Sequence, residues 1–282
     1  MSTAAIDQFD ELLRIKGPKL RRFKDGHYKR IEYLELLGRS DDEEQLPNED
    51  HGYVFRVRID GELHALKIVR LGTSTTCWKL TAATGRSQVS REDIKGQKDP
   101  FYAECRAYRR IASKPRKRPI AIACHGFISI PVKQEFFFAR KFNITDWNRP
   151  EEELFLPPVK RQPLRALVKD LVETGLEITE KLIVSIRREL KALNSLRIYV
   201  MDVRWSNYKG GHLVDFSSAW TEPHFEFRKD VNSEKDIKIN RQIDLAAFDK
   251  MVKEELGMDV SVRTEPNPDL IARLRLRRKR ED

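Results

Sequence analysis

The 282 residues lack any apolar run long enough to cross a bilayer, which argues against a membrane-spanning helix. Residues 1–15 carry Asp7, Asp10 and Glu11 where a secretory leader needs a basic start and an apolar middle, so no leader is expected. The expectation is a soluble intracellular protein, nuclear or cytoplasmic, that makes no use of a membrane. Cysteine is scarce. Cys77, Cys105 and Cys124 are odd in number, far apart and form no C-x-x-C pair, so neither a disulfide framework nor a zinc site is indicated. No internal repeat is visible.

What the chain has is charge. Charged residues make up 35% of it against 40% hydrophobic, enough for a globular core under a heavily ionised surface. The net charge of +10 is uneven. Arg14, Lys16, Lys19, Arg21, Arg22, Lys24, Lys29 and Arg30 form a basic segment near the start. Asp41, Asp42, Glu43, Glu44, Glu49 and Asp50 follow as an acidic stretch, and residues 273–280 close the chain with a second basic block. Solvated surface is one reading of the basic ends. Nuclear import or nucleic-acid binding is the other, favoured at the dense terminal block.

The hydrophobic pattern divides the chain. Ile6, Phe9, Leu12 and Leu13 recur at helical spacing, and residues 31–37 read as a strand. Phe55, Val57 and Ile59 alternate with Arg56 and Arg58, then Asp60-Gly61 supplies a hairpin turn into a partner strand over 63–69. Residues 71–96, rich in Thr, Ser and Gly, read as a mobile insertion. Asp99-Pro100 begins a helix expected to reach Ile111. Residues 120–130 and 135–142 read as strands, and Pro157, Pro158 and Pro163 as a connector between halves. Leu182, Ile186, Leu190 and Leu193 mark a long amphipathic helix. A short strand, a Gly210-Gly211 turn, another strand to Val214 and a helix over 243–256 complete the pattern.

Chemistry concentrates at a few positions. Lys67 lies in an apolar strand, where an unpaired ammonium is expensive to bury. Glu104 shares a helix face with Phe101 and Tyr108 and needs a cation, which the preceding strand offers. Further on, Asp202 precedes Asn207 by five residues, and the apolar segment His212-Leu-Val ends in Asp215-Phe216. This order suits phosphoryl transfer: Asp202 orients an acceptor hydroxyl, while Asn207 and Asp215 offer oxygens to magnesium on the phosphates.

With these motifs the chain resembles the protein-kinase-like superfamily over roughly residues 31–250. Within it, the chain most resembles a divergent fungal family named after an inner-kinetochore complex subunit. The resemblance implies that Lys67, in Ala65-Leu66-Lys67, matches the phosphate-binding lysine of V-A-I-K, with Glu104 its helix partner. It makes Asp202 the catalytic-loop aspartate and Asn207 and Asp215 the metal ligands. Gly52-Tyr53-Val54 resembles the end of a glycine-rich loop, placing Gly52 and Val54 beside the cofactor. Asp244 matches the buried aspartate that braces the catalytic loop. The implied cofactors are ATP and magnesium.

Departures from that pattern are equally specific. Gly38 and Gly52 are separated by the acidic stretch, and Val200-Met201 stand where kinases carry His-Arg. Ser217 replaces the glycine of D-F-G, and no A-P-E follows. Arg204 lies two residues beyond Asp202, where it can neutralise a transferring phosphate.

The fold expected is α+β and two-lobed, kinase-like, with a β-rich upper lobe and a reduced helical lower lobe. Its divisions are an N-terminal helix and basic segment over 1–28, an upper lobe over 29–143, a lower lobe over 144–262 and a basic tail over 263–282. Three functions fit: an atypical phosphotransferase using Mg-ATP on an unknown acceptor, a pseudokinase scaffold of a nuclear kinetochore or chromatin assembly, or a basic nucleic-acid-associated module. The partner is accordingly a phosphoryl acceptor, another protein, or nucleic acid at the basic ends.

Overall fold

The computed structural model describes residues 12, 16–23, 31–38, 51–71, 89–172 and 175–258. The expected N-terminal helix apart from Leu12, the acidic stretch, residues 72–88 of the insertion and the basic tail lie outside them. Five strands build one antiparallel sheet: β1 (Ile31–Leu36), β2 (Gly52–Ile59), β3 (Glu62–Val69), β4 (Cys124–Ile130) and β5 (Leu164–Asp170), in the order β1-β2-β3-β5-β4. The β2–β3 hairpin turns at Asp60-Gly61 as its sequence requires, burying Phe55, Val57 and Ile59 and exposing Arg58. With seven α-helices among the described residues, the architecture is mixed α+β.

The helices are α1 (Arg91–Lys98), α2 (Pro100–Ala112), α3 (Glu135–Phe142), α4 (Glu151–Leu154), α5 (Glu180–Ser195), α6 (Glu234–Asn240) and α7 (Ile243–Glu254). Helix α2 starts where Asp99 predicts, the carboxylate accepting from Phe101 N and Tyr102 N with Pro100 in the first turn. Between α5 and α6 lie β6 (Ile198–Tyr199), β7 (Tyr208–Lys209), β8 (His212–Leu213) and β9 (Trp220–Thr221), paired β6 with β9 and β7 with β8.

Directly opposed residues of an antiparallel pair share a face. One face of the sheet carries Phe55, Leu66, Ile68, Ile128, Ala166 and Val168 and packs with Phe138 and Phe142 of α3. The other carries Val69, Phe127 and Leu167 and packs with α2. That second cluster continues without a break through Val200 and Phe216 to Ile186, Leu190 and Leu193 of α5 and Phe248 and Met251 of α7. Sheet and helical half therefore share one core, with α2 between them.

Four expectations change. Residues 135–142, expected as a strand, form α3. Their aromatic content reads as β, but Phe138 and Phe142 sit four apart and bury together, and Asn143 ends the helix in a left-handed conformation at φ 57°. Residues 91–96, the end of the expected mobile insertion, belong instead to α1, capped by the Ser90 hydroxyl accepting from Asp93 N. The strand expected from residue 120 begins at Cys124. Finally, the proline-rich connector leads into β5, which pairs with both β3 and β4, so it joins two strands of one sheet. The part of the N-terminal basic segment over 16–23 is docked: Phe23 N donates to Phe127 O at 2.9 Å, and Leu20 and Phe23 are buried. Gly126 permits this approach, since a Cβ there would sit 2.6 Å from Phe23 N.

Where α1 meets the loop after β9, His224 is buried between Trp220 and Phe225, stacked on both rings. Its Nε2 lies 3.2 Å from Gln97 O, and its Nδ1 accepts from Glu226 N at 3.2 Å, which suits the neutral ring. Burial, with Lys98 and Arg106 nearby, pushes its pKa well below the ordinary histidine value. A base whose pKa falls on folding binds fewer protons folded than unfolded, so its contribution is full above about pH 6.5 and shrinks as the pH falls. Urea unfolding is expected to lose up to about 1.4 kcal/mol per pH unit through this group below that point. His224→Gln should flatten that part of the profile. An unchanged profile would mean that the ring protonates freely in the folded state.

Candidate functional site

Strand register sets out the site. Val54 lies opposite Lys67, and Lys67 opposite Leu167, so the three share the face that looks at α2. Gly52 opposes Val69 on the same face, its missing Cβ only 2.2 Å from Ile68 O, and no side chain fits there. Lys169 lies two residues beyond Leu167 and again points to that face. On α2, Glu104 lies between Phe101 and Tyr108, all three buried.

These groups close into a four-membered charge cluster. Lys67 Nζ lies 2.5 Å from Glu104 Oε1 and 2.8 Å from Asp215 Oδ1. Lys169 Nζ lies 2.5 Å from Glu104 Oε2 and donates to Val214 O at 2.9 Å. Glu104 thus spends one oxygen on each lysine, and Lys67 joins two carboxylates. Burial pulls the Lys67 pKa down, but Asp215 and Glu104 outweigh it and hold the ammonium above the ordinary lysine value. Burial likewise raises Asp215, and Lys67, Lys169 and the Ser217 N–H outweigh it, holding the carboxyl well below the usual range. Both groups are charged at neutral pH.

Beside the cluster, Asp202 is held within its own loop. Arg204 donates to its Oδ2 from Nη2 at 2.6 Å and from Nε at 3.1 Å. Asn207 Nδ2 donates to Asp202 O at 3.0 Å and to its Oδ2 at 3.2 Å. Asn207 O accepts from Val214 N at 2.9 Å, tying this loop to the residue before Asp215. Phe216 is fully buried edge-on to Tyr108, which fixes the Asp215 backbone against α2. From below, the buried Asp244 carboxylate accepts from Val200 N at 2.7 Å, Met201 N at 2.9 Å and Asn194 Nδ2 at 2.7 Å.

The structure therefore brings Lys67, Glu104, Asp215, Asn207, Asp202 and Arg204 to one place, with Gly52 and Val54 on the adjoining sheet face. Lys169 escaped the sequence reading. Its signal was an inward position in Leu164–Asp170, visible only once that segment is recognised as a strand. Asn194, which anchors Asp244, left no signal beyond a polar position near the end of α5.

A magnesium ion bound with phosphate keeps much of its shell as water and phosphate oxygens and needs few protein donors. Ser217 N and Lys67 both take Asp215 Oδ1, and Asn207 commits its amide nitrogen to Asp202. Asp215 Oδ2 and Asn207 Oδ1 carry no hydrogen bond within the described residues, and both are hard donors of the right kind. They fit a magnesium ion that phosphate helps to hold. Among the described residues there is no cluster of three His, Cys, Asp or Glu side chains that would bind one unaided.

Compared with known families, the chain matches the kinetochore Sim4 complex subunit FTA2 family over residues 8–220. It belongs to that family. No curated protein matches it. Among the described residues, no helix is long and apolar enough to cross a membrane.

Proposed function

We propose that this chain is a nuclear, non-catalytic subunit of a kinetochore assembly, built on a kinase-like scaffold that retains a nucleotide site. Family membership supports the assembly role, the protein partners and the nuclear location. The observation that carries the non-catalytic half is the closure of the site's charges. Arg204 covers Asp202, Lys67 covers Asp215, and two lysines cover Glu104. Both Arg204 and Asn207 hold Asp202 Oδ2, which fixes the carboxylate within its loop and leaves only Oδ1 to meet an acceptor hydroxyl.

Support for the kinase-like scaffold comes from the sheet, the glutamate-bearing α2 against it, and the Asp202–Asn207 and Asp215–Phe216 segments beneath. On this reading the β-rich lobe extends through β5 and the linker between lobes falls near residues 171–179. The ligand is ATP with magnesium: Lys67 meets the phosphates, Asn207 and Asp215 hold the metal, and Val54 covers the base or ribose. The metal would supply charge neutralisation of the phosphates. The reading as a basic nucleic-acid module rests on the basic segment over 14–30, of which Lys16, Lys19, Arg21 and Arg22 are exposed, and on the tail over 263–282, which lies outside the described residues.

Thermal melting with Mg-ATP tests the site. Ligand at a hundred times its dissociation constant stabilises by about 2.7 kcal/mol, roughly 5–11 °C for a protein of this size. The wild type and Asp202→Asn should both shift, Asn207→Ala less, and Asp215→Asn least. No shift in the wild type at millimolar ATP would remove the nucleotide site and leave a scaffold alone. A fluorescent fusion should gather in nuclear foci with a centromere marker, and a diffuse signal would count against the assembly role. One observation favours a phosphotransferase instead: Asp202, Asn207 and Asp215 are hydrogen-bonded into one loop system. ATP consumption abolished by Asp202→Asn would establish that second reading.

A further inference from the structure

Lys169 is a buried cation that neither the sequence motifs nor the nucleotide reading uses. It lies on β5 facing α2, its ammonium divided between Glu104 Oε2 and Val214 O. Two consequences follow. With Lys67, Glu104 and Asp215 alone the buried group carries one net negative charge, which opposes a polyphosphate until a metal arrives; Lys169 brings that sum to zero. Lys169 also keeps Glu104 paired when Lys67 turns away. A phosphate can therefore recruit Lys67 without stranding a buried carboxylate, a penalty that otherwise resists the movement.

We infer that Lys169 substitutes for metal charge, so that the site takes a nucleoside polyphosphate without requiring a divalent cation. The inference rests on the nucleotide-site reading above and adds to it a ligand state and a residue responsible. Lys169 does not touch the phosphates; it is a positioning residue that frees Lys67 and balances the field around it. The donor set agrees. Among the described residues, the two metal-ligand candidates offer one uncommitted oxygen each, Asp215 Oδ2 and Asn207 Oδ1, whereas the cations are built into the core.

The experiment is calorimetric titration of the full chain with ATP, in excess EDTA and in magnesium. Wild type is expected to bind in both, more weakly in EDTA because the metal that Asn207 and Asp215 hold is then absent. Lys169→Met, which leaves Glu104 paired to Lys67, is expected to bind about tenfold or more weakly in EDTA, as loss of one nearby buried charge requires. Magnesium should restore most of that loss. Wild-type binding that vanishes in EDTA overturns the inference while leaving the nucleotide site standing. Lys169→Met binding like wild type in EDTA overturns the role given to this residue. No binding in either buffer overturns the inference together with the nucleotide reading. Should Lys169→Met fail to fold, Lys169→Gln, whose amide N–H groups can still donate to Glu104 and the Val214 carbonyl while the charge is gone, carries the same comparison.

Discussion

Glu104→Ala is expected to lower the unfolding free energy by about 3–5 kcal/mol, the range for breaking a buried ion pair by removing one partner. Glu104 is the member of the cluster with most to lose, because each of its oxygens meets a different buried lysine at 2.5 Å. Without it Lys67 retains Asp215, but Lys169 retains only neutral partners, the Val214 carbonyl and the face of the Tyr108 ring. An ammonium so placed must either lose its proton or draw water into the core. The melting temperature should drop by roughly 6–20 °C. Lys169→Met should lose less, since Lys67, Glu104 and Asp215 all stay paired. Urea unfolding of the three proteins gives the ranking directly. A loss below about 0.5 kcal/mol in Glu104→Ala would place this cluster among exposed ion pairs and contradict its burial.

The same energetics bear on why the cluster exists. Well-packed apolar side chains often stabilise a core as well as a buried ion cluster of similar volume does. Two lysines and a glutamate between a sheet and a helix are therefore a poor choice for stability alone. A site that has to rearrange around an anionic ligand explains them better, which is consistent with the nucleotide reading.

The parts legible in the sequence were those where one local rule acts alone. The β2–β3 hairpin follows from alternation around Asp60-Gly61, and α2 from Asp99-Pro100. The meeting of Lys67 with Glu104 follows from the cost of burying either by itself. The parts that were not legible are those where a distant partner decides. Residues 135–142 satisfy strand propensity, and only the sheet face beneath them selects the helical pairing of Phe138 with Phe142. Strand β5 is buried on both faces, so Leu164–Asp170 shows no apolar–polar alternation to set it apart from the proline-rich stretch before it. Losing that strand meant losing Lys169, and with it the balance of charge at the site. Asp244 was named correctly as a brace, yet its partners Val200 N, Met201 N and Asn194 could be found only in three dimensions.

Asp244→Ala should then be the second large loss, and it should damage the site as well as the fold. The substitution orphans two backbone N–H groups around a residue that is almost wholly buried, while Asn194 Nδ2 keeps its bond to the Ile198 carbonyl. An unsatisfied buried donor costs about 1–3 kcal/mol, so the two together cost about 2–6 kcal/mol. A further strain is released. Met201 sits at φ 66°, a left-handed conformation unfavourable for a side chain of its size, and Asp244 holds its N–H there. Without that hold Met201 can relax towards extended backbone, and Asp202 moves with it. Nucleotide affinity should therefore fall in Asp244→Ala, although Asp244 touches no part of the site's cation cluster. Asp244→Asn keeps one acceptor oxygen and should fall between the two proteins. Adding Met201→Gly to Asp244→Ala separates strain from lost hydrogen bonds, because glycine accepts the left-handed conformation without the side-chain penalty. Part of the nucleotide affinity should return in that double variant, but not the stability, because Met201 is itself buried and its removal empties a core position. If Asp244→Ala unfolds within about 0.5 kcal/mol of wild type, the loop is held by its own packing and the brace has no role.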